Sequence, residues 1–285
     1  MVHEGTENNS VAVAEADARV MPRAKLLTAS NMDAPVEMPL SDRMVAMVSQ
    51  RSPTKETANE DSAALLPWGD DAAVLVVADG LGGSALGEEA SALAVRRIRL
   101  AMSQADPEHV MLRSAILNGI EAANRDVLEL GRGAATTLAI AEVTNSTIRT
   151  YHVGDSGILL FGGRGKLKLE TMAHSPVGYG VEAGLLDAND AMHHEERHLV
   201  SNVVGDANLR IEIGSETRFA QRDTLVLASD GLFDNLHSKE IISIARKGPV
   251  AKACEALRAL ARERMIEPKE GMPSKADDLT IVVCR

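Results

Sequence analysis

Residues 74–83, Val-Leu-Val-Val-Ala-Asp-Gly-Leu-Gly-Gly, constrain this chain more than any other stretch. Four apolar residues in succession, three of them β-branched, specify a strand buried on both faces rather than one with a wet side. The run stops at Asp79, so a carboxylate stands at a strand end. Gly80, Gly82 and Gly83 let the backbone take φ > 0 and come close to whatever Asp79 faces, and Ser84 can cap a helix that follows.

A strand covered on both sides needs a large core. The 285-residue chain is 45% apolar but only 2% aromatic, so Ala, Val, Leu and Ile fill the interior, which suits a large sheet packed on Ala-rich helices. A net charge of −11 opposes nucleic acid and an anionic membrane surface and fits carboxylate clusters that hold cations. Two cysteines, Cys254 and Cys284, make no disulfide framework and point to a reducing, cytoplasmic setting. No apolar run approaches the ~20 residues needed to cross a bilayer, and the N-terminus lacks the apolar centre of a signal peptide. A soluble protein is expected.

The organisation reads as a loose N-terminal tail over residues 1–37 and one domain over residues 38–285, with no internal repeat. Residues 38–61 read as a loop entering a strand, and residues 61–78 as a hairpin turning at Trp68-Gly69-Asp70-Asp71. Helical spacing covers residues 84–103 and 107–130, the latter with Pro107 near its start and Gly131 beyond its end. Strands follow at 135–143 and 146–153, then a hairpin over 158–169. Residues 174–206 are irregular, with one short helix near 188–196. Strands at 209–213, 224–228 and 279–283 and helices at 238–246 and 250–265 complete the domain.

Three apolar runs end in a carboxylate beside glycine: Ala78-Asp79-Gly80, Val153-Gly154-Asp155 and Ala228-Ser229-Asp230-Gly231. Asp277-Asp278 precedes a strand and Glu60-Asp61 begins one. An Asp-Gly after a strand is most often only a turn, but the motif recurs, and strand ends of one sheet system can meet at a single rim. Carboxylates crowded there would repel one another and resist ionisation unless cations neutralise them. The donors are hard oxygens without Cys or His at comparable positions, which selects Mg²⁺ or Mn²⁺ over zinc.

In order, Asn59-Glu60-Asp61, Asp79-Gly80-Leu81-Gly82-Gly83, Ala135-Thr136-Thr137, Gly154-Asp155-Ser156, Ser229-Asp230-Gly231-Leu232-Phe233-Asp234 and Asp277-Asp278-Leu279-Thr280 resemble the motifs of the metal-dependent serine/threonine protein phosphatases of the 2C type, in a bacterial-like form. Each motif is short, and six in order over residues 50–285 make the match specific. The resemblance implies an α+β fold, a central sandwich of two antiparallel β-sheets flanked by helices on both faces. It implies that Glu60, Asp79, the Gly80 carbonyl, Asp230 and Asp277 hold two Mn²⁺ or Mg²⁺ ions, with Asp278 beside them. Asp61 would orient a metal-bound water that attacks phosphoserine or phosphothreonine in a protein substrate. Asp155 and Asp234, with Asp230, match a weaker third metal position found in many members, and residues 178–206 match a variable flap closed by residues 197–206.

Four departures stand out. Glu56 occupies the position of the usual phosphate-binding arginine, leaving Lys55 and Arg51 as candidates, and a lysine grips phosphate as a point charge without a bidentate fork. Leu81 replaces a histidine that serves some members as a candidate general acid. Gly157 replaces an arginine, and Asp278 a common asparagine. The lost arginine motivates an alternative, a catalytically weak module that binds phosphoproteins or a regulatory partner. A remote alternative rests on His194-Glu195-Glu196-Arg197-His198, which fits the H-E-x-x-H of zinc peptidases, although its surroundings are charged and no third ligand follows on a helix.

Overall fold

The computed structural model describes residue 21 and residues 23–81, 85–192, 194–197 and 199–285. Two antiparallel sheets lie face to face. The first runs β1 (Lys25–Thr28), β4 (Asp61–Trp68), β5 (Ala72–Leu81), β7 (Leu138–Thr144), β8 (Thr147–Val153) and β11 (Glu212–Ile213), with β6 (Ala135–Thr136) beside β5 and β12 (Thr217–Arg218) beside β8. The second runs β10 (Leu167–Glu170), β9 (Gly157–Gly162), β13 (Asp223–Ala228), β14 (Leu279–Cys284), β3 (Arg43–Gln50) and β2 (Val36–Leu40). Helices α1 (Ala85–Gln104) and α2 (Leu112–Leu130) cover the outer face of the first sheet. Helices α6 (Ser238–Ala245) and α7 (Val250–Ile266) cover that of the second. The expected helix–sheet–sheet–helix sandwich is the observed one.

The continuous apolar run over residues 74–78 has its explanation in these layers. On β5, Ala73, Leu75 and Val77 enter the core between the sheets, while Val74, Val76 and Ala78 enter the core under α1 and α2. Alternate side chains thus meet two apolar layers, and no position is left for a polar residue. The same holds for β14, where Val282 and Cys284 face the opposite sheet and Ile281 and Val283 face the helices.

The domain begins earlier than expected. Residues Lys25–Thr28 pair with β4, and Val36–Leu40 pair with β3, so one strand lies inside the segment read as a loose tail and a second begins at its end. Residues 1–20 lie outside the described residues. β3 was also expected to be loop, because Arg-Met-Val-Ala-Met-Val-Ser-Gln shows no period-two alternation. It is an interior strand between β14 and β2, with Val45 and Met47 on one core and Ala46 and Val48 on the other. The second helix starts at Leu112 rather than at residue 107. Asp106 accepts from the Glu108 N–H at 3.1 Å and contacts the His109 ring at 2.8 Å, which holds the preceding residues in a turn.

The irregular segment carries α3 (Pro176–Glu182), capped by the Ser175 hydroxyl, and α4 (Ala188–Ala191). It returns to the body where Val204 bridges Thr136 and the Gly205 N–H donates to Asn124. α5 (Asp230–Phe233) is a single turn directly after β13.

Candidate metal centre

The alternation that fills the core between the sheets continues past its end and becomes polar. In phase with Ala63 and Leu65 stands Asp61, and in phase with Leu75 and Val77 stands Asp79; the two are register partners on β4 and β5. Opposite them, Ser229 follows Leu225 and Leu227, while Thr280 and Asp278 precede Val282. One end of the apolar layer therefore opens onto carboxylates from both sheets.

Hydrogen bonds fix the first rank. Asp61 is fully buried; its Oδ2 accepts from the Ser229 hydroxyl at 2.7 Å, and its N–H donates to the Asn59 side chain at 2.9 Å. Its Oδ1 has no protein partner, nor has the buried Oδ1 of Asp230. Asp79 is held through its backbone: its N–H donates to the Thr137 hydroxyl at 3.0 Å, and its carbonyl accepts from Thr136 Oγ1 and from the Thr137 N–H. Gly80 donates to the Glu60 carbonyl at 3.2 Å. On α1, Gly87 sits against this pair: a Cβ there would lie 2.7 Å from Glu60 Oε1 and 2.9 Å from the Gly80 carbonyl oxygen. Only glycine lets the helix approach so closely.

A second rank orients the first. Asp278 is buried and accepts from the Ser52 and Glu60 N–H groups, each at 2.8 Å, and from the Lys55 ammonium at 2.9 Å. Lys55 also pairs with Glu60. Burial pulls the Lys55 ammonium down, but its bonds to Glu60 and Asp278 outweigh this and hold it above the usual lysine range. Lys275 pairs with Asp230, with Asp277 at 3.0 Å and with Asp234 at 3.1 Å.

The remaining electrostatics report crowding. Desolvation, with Asp61, Asp230, Asp277 and Asp155 nearby, drives the Asp79 carboxyl well above the usual range, and burial does the same to Asp61. Burial and then Asp230 push Asp155 up to about 8, against the opposing pull of Lys275. Such a set is stable in its ionised form only beside cations. The orphaned oxygens of Asp61 and Asp230, and the cradle between Gly80 and Gly87, fit hard divalent ions with oxygen donors.

All the carboxylates singled out in the sequence thus meet at one rim: Glu60, Asp61, Asp79, Asp155, Asp230, Asp234, Asp277 and Asp278. Arg51 does not join them, because its guanidinium donates to the Glu56 carbonyl at 3.0 Å and the Thr57 carbonyl at 3.4 Å, bracing its own loop. Gly82, Gly83 and Ser84 lie outside the described residues, as do His193 and His198. Residues 194–197 form a turn rather than a helix, with His194 Nδ1 accepting from the Glu196 N–H, so the helical spacing that a zinc peptidase needs is missing from this stretch.

The profile of the family described as Protein phosphatase 2C matches residues 51–267. The chain belongs to that family. Curated relatives within it include the protein phosphatase PhpP of Streptococcus pneumoniae, 29% identical over 65% of this chain and 77% of that protein. The serine/threonine phosphatase stp of Listeria monocytogenes is 29% identical over 66% and 77%. Among solved structures, the serine/threonine phosphatase of S. agalactiae superposes with a TM-score of 0.74 at 25% identity, covering 85% of this chain and 98% of that one. The catalytic domain of the serine threonine protein phosphatase PstP, solved in complex with two manganese ions, superposes with a TM-score of 0.66 at 25% identity, covering 85% and 97%.

Several residues at this rim carry no signal in the sequence. Lys275 and Gly87 carry no motif of their own, although a lysine two residues before Asp277 is a visible charge reversal. Beside the rim, His152, His174 and Glu212 bring ligand-type atoms within 4.8 Å of one another. They form a strap rather than a second metal centre. His174 Nδ1 accepts from the Gly154 N–H at 3.2 Å and the Asn202 side-chain amide at 2.8 Å, so the proton sits on Nε2 and is donated to Glu212 at 3.0 Å. A metal at Nε2 would need that proton moved to Nδ1, against two donors. Ser201 adds two bonds to the His174 carbonyl, so the strap fastens the flap to the Gly154-Asp155 turn.

Proposed function

We propose that this protein is a Mg²⁺- or Mn²⁺-dependent phosphatase of phosphoserine and phosphothreonine in proteins, with Glu60, Asp79, the Gly80 carbonyl, Asp230 and Asp277 holding two ions. The observation that carries the reading is the pair of buried carboxylate oxygens, Asp61 Oδ1 and Asp230 Oδ1, left without protein partners where both sheets deliver acids to one rim. Bound ions supply the positive charge that a phosphate dianion needs and an acidified water for in-line attack.

The chain's own residues do the rest. Asp61 is held at Oδ2 by Ser229, so its free Oδ1 is aimed and can accept a hydrogen bond from the attacking water. Lys55 has three donors and gives two to Glu60 and Asp278; the third can meet a phosphoryl oxygen as a point charge. Leu81 offers no proton, so the leaving oxygen takes its proton from water. A cytoplasmic location fits the two buried free thiols; among the described residues, no helix is long and apolar enough to cross a membrane.

The test is hydrolysis of a phosphothreonine peptide with Mn²⁺, with chelator, and by Asp79→Asn. Mn²⁺-dependent turnover lost in the variant is expected. Turnover that ignores the chelator refutes the two-ion mechanism, and absent turnover despite Mn²⁺ binding would favour the regulatory module motivated by Glu56.

A further inference from the structure

Lys275 is not a surface lysine that happens to reach an acid. Its side chain is 22% exposed, and its ammonium contacts carboxylates of three residues at once, Asp230, Asp234 and Asp277. Its backbone is clamped. The fully buried Asn235 accepts from the Lys275 N–H at 2.9 Å and donates to the Lys275 carbonyl at 2.8 Å. The same Asn235 amide donates to the Gly231 carbonyl at 2.9 Å, which ties the lysine to the turn bearing Asp230 and Asp234. Arg264 then fixes Asn235 by donating to its carbonyl at 2.6 Å. A chain of buried and part-buried hydrogen bonds thus delivers one primary amine to one place.

The two oxygens of Asp230 differ in their partners. Oδ2 meets Lys275, while the buried Oδ1 has no hydrogen-bond partner. Asp277 gives Oδ2 to Lys275 and accepts from the Asp278 N–H at Oδ1. An ammonium on one oxygen of Asp230 leaves the other unpartnered, so lysine and ions can be held together rather than in turn.

Resting on the two-ion reading above, we propose that Lys275 is a tethered cation standing where a third divalent ion would otherwise sit between Asp230 and Asp234. The sequence resemblance placed such an ion at Asp155, Asp234 and Asp230. In this chain the amine supplies that charge permanently, at a fixed stoichiometry, and independently of metal supply. The protein therefore exchanges two ions, not three, and the Asp230–Asp234 turn stays assembled when metal is scarce.

The experiment is Mn²⁺ stoichiometry on the full chain, by equilibrium dialysis with elemental analysis, for wild type, Lys275→Met and Lys275→Arg. Two ions per chain in wild type and in Lys275→Arg, and three in Lys275→Met, are expected. Three in wild type, or two in Lys275→Met, overturns the role of Lys275 while leaving the two-ion reading intact; no bound ion in wild type overturns that reading and the proposal with it. Should Lys275→Met fail to fold without metal, its melting transition is followed with Mn²⁺ added. Recovery of a cooperative transition supports replacement of the amine by an ion, and a variant that stays unfolded in Mn²⁺ contradicts it.

Discussion

Asp278→Asn isolates what the extra carboxylate does at a position where the family commonly carries asparagine. The wild-type side chain accepts three hydrogen bonds and donates none: from Ser52 N–H to Oδ1, and from Glu60 N–H and the Lys55 ammonium to Oδ2. Asparagine has one oxygen. Its best placement turns that oxygen to Glu60 and Lys55 and sets its NH₂ against the Ser52 N–H, so one bond is lost and a buried donor is orphaned. An orphaned buried donor costs about 1–3 kcal/mol, and the weakened bonds from Lys55 and Glu60, once charge-assisted, cost about 1 kcal/mol more. The expected loss is about 2–4 kcal/mol, or roughly 5–15 °C in Tm for a domain of this size. Thermal melting by circular dichroism in chelator reads it without metal binding. Lys55→Met in both backgrounds completes a double-mutant cycle, with about 0.5–3 kcal/mol of coupling expected. A variant melting with wild type, or strict additivity with Lys55→Met, would refute this role of Asp278.

Other consequences follow from the same rim. Gly87→Ala improves helix propensity by about 1 kcal/mol, yet it forces a Cβ onto the Gly80 carbonyl and Glu60; Mn²⁺ affinity by calorimetry should fall about 10–100-fold while the fold persists. In chelated protein, Asp61, Asp79, Asp155 and Asp277 all resist ionisation through burial, so the folded chain holds protons that the unfolded chain releases near pH 4. Stability should then fall as pH rises from about 4 toward the Asp155 value of about 8, and Mn²⁺ should flatten the slope; urea midpoints that rise across this window would contradict the assignment. His174→Ala removes the acceptor of the Gly154 and Asn202 donors, about 2 kcal/mol of local stability or roughly thirtyfold in opening. Limited proteolysis should show faster cutting in the flap, with the rest of the domain intact.

Much of this centre was legible because most of its acids stand at one end or the other of a run that must be a buried strand. Once Leu75 and Val77 face the opposite sheet, the two-residue period delivers Asp79 to the same face, and the same period places Asp61 on the face of Ala63 and Leu65, which follow it. With both faces buried the period disappears, and β3 has only Val45 and Val48 among Arg, Met, Ala, Ser and Gln, so it lacks the β-branched run that marked β5 as a strand. The strands at Lys25–Thr28 and Val36–Leu40 are short and edge-placed, with half-buried side chains, so little apolar signal marks them. His174, Lys275 and Asn235 were illegible for a different reason. Their roles rest on contacts across tens of residues, and no local pattern announces a side chain whose partner is set by the fold.

The proposed mechanism requires Asp79 and the Gly80 carbonyl to hold divalent ions at the end of the sandwich. Anomalous difference density from crystals grown with Mn²⁺ tests it most directly. Two peaks bounded by Asp79, Gly80, Glu60, Asp230 and Asp277 are expected. A peak at His152, His174 and Glu212 with none at Asp79 would contradict the account.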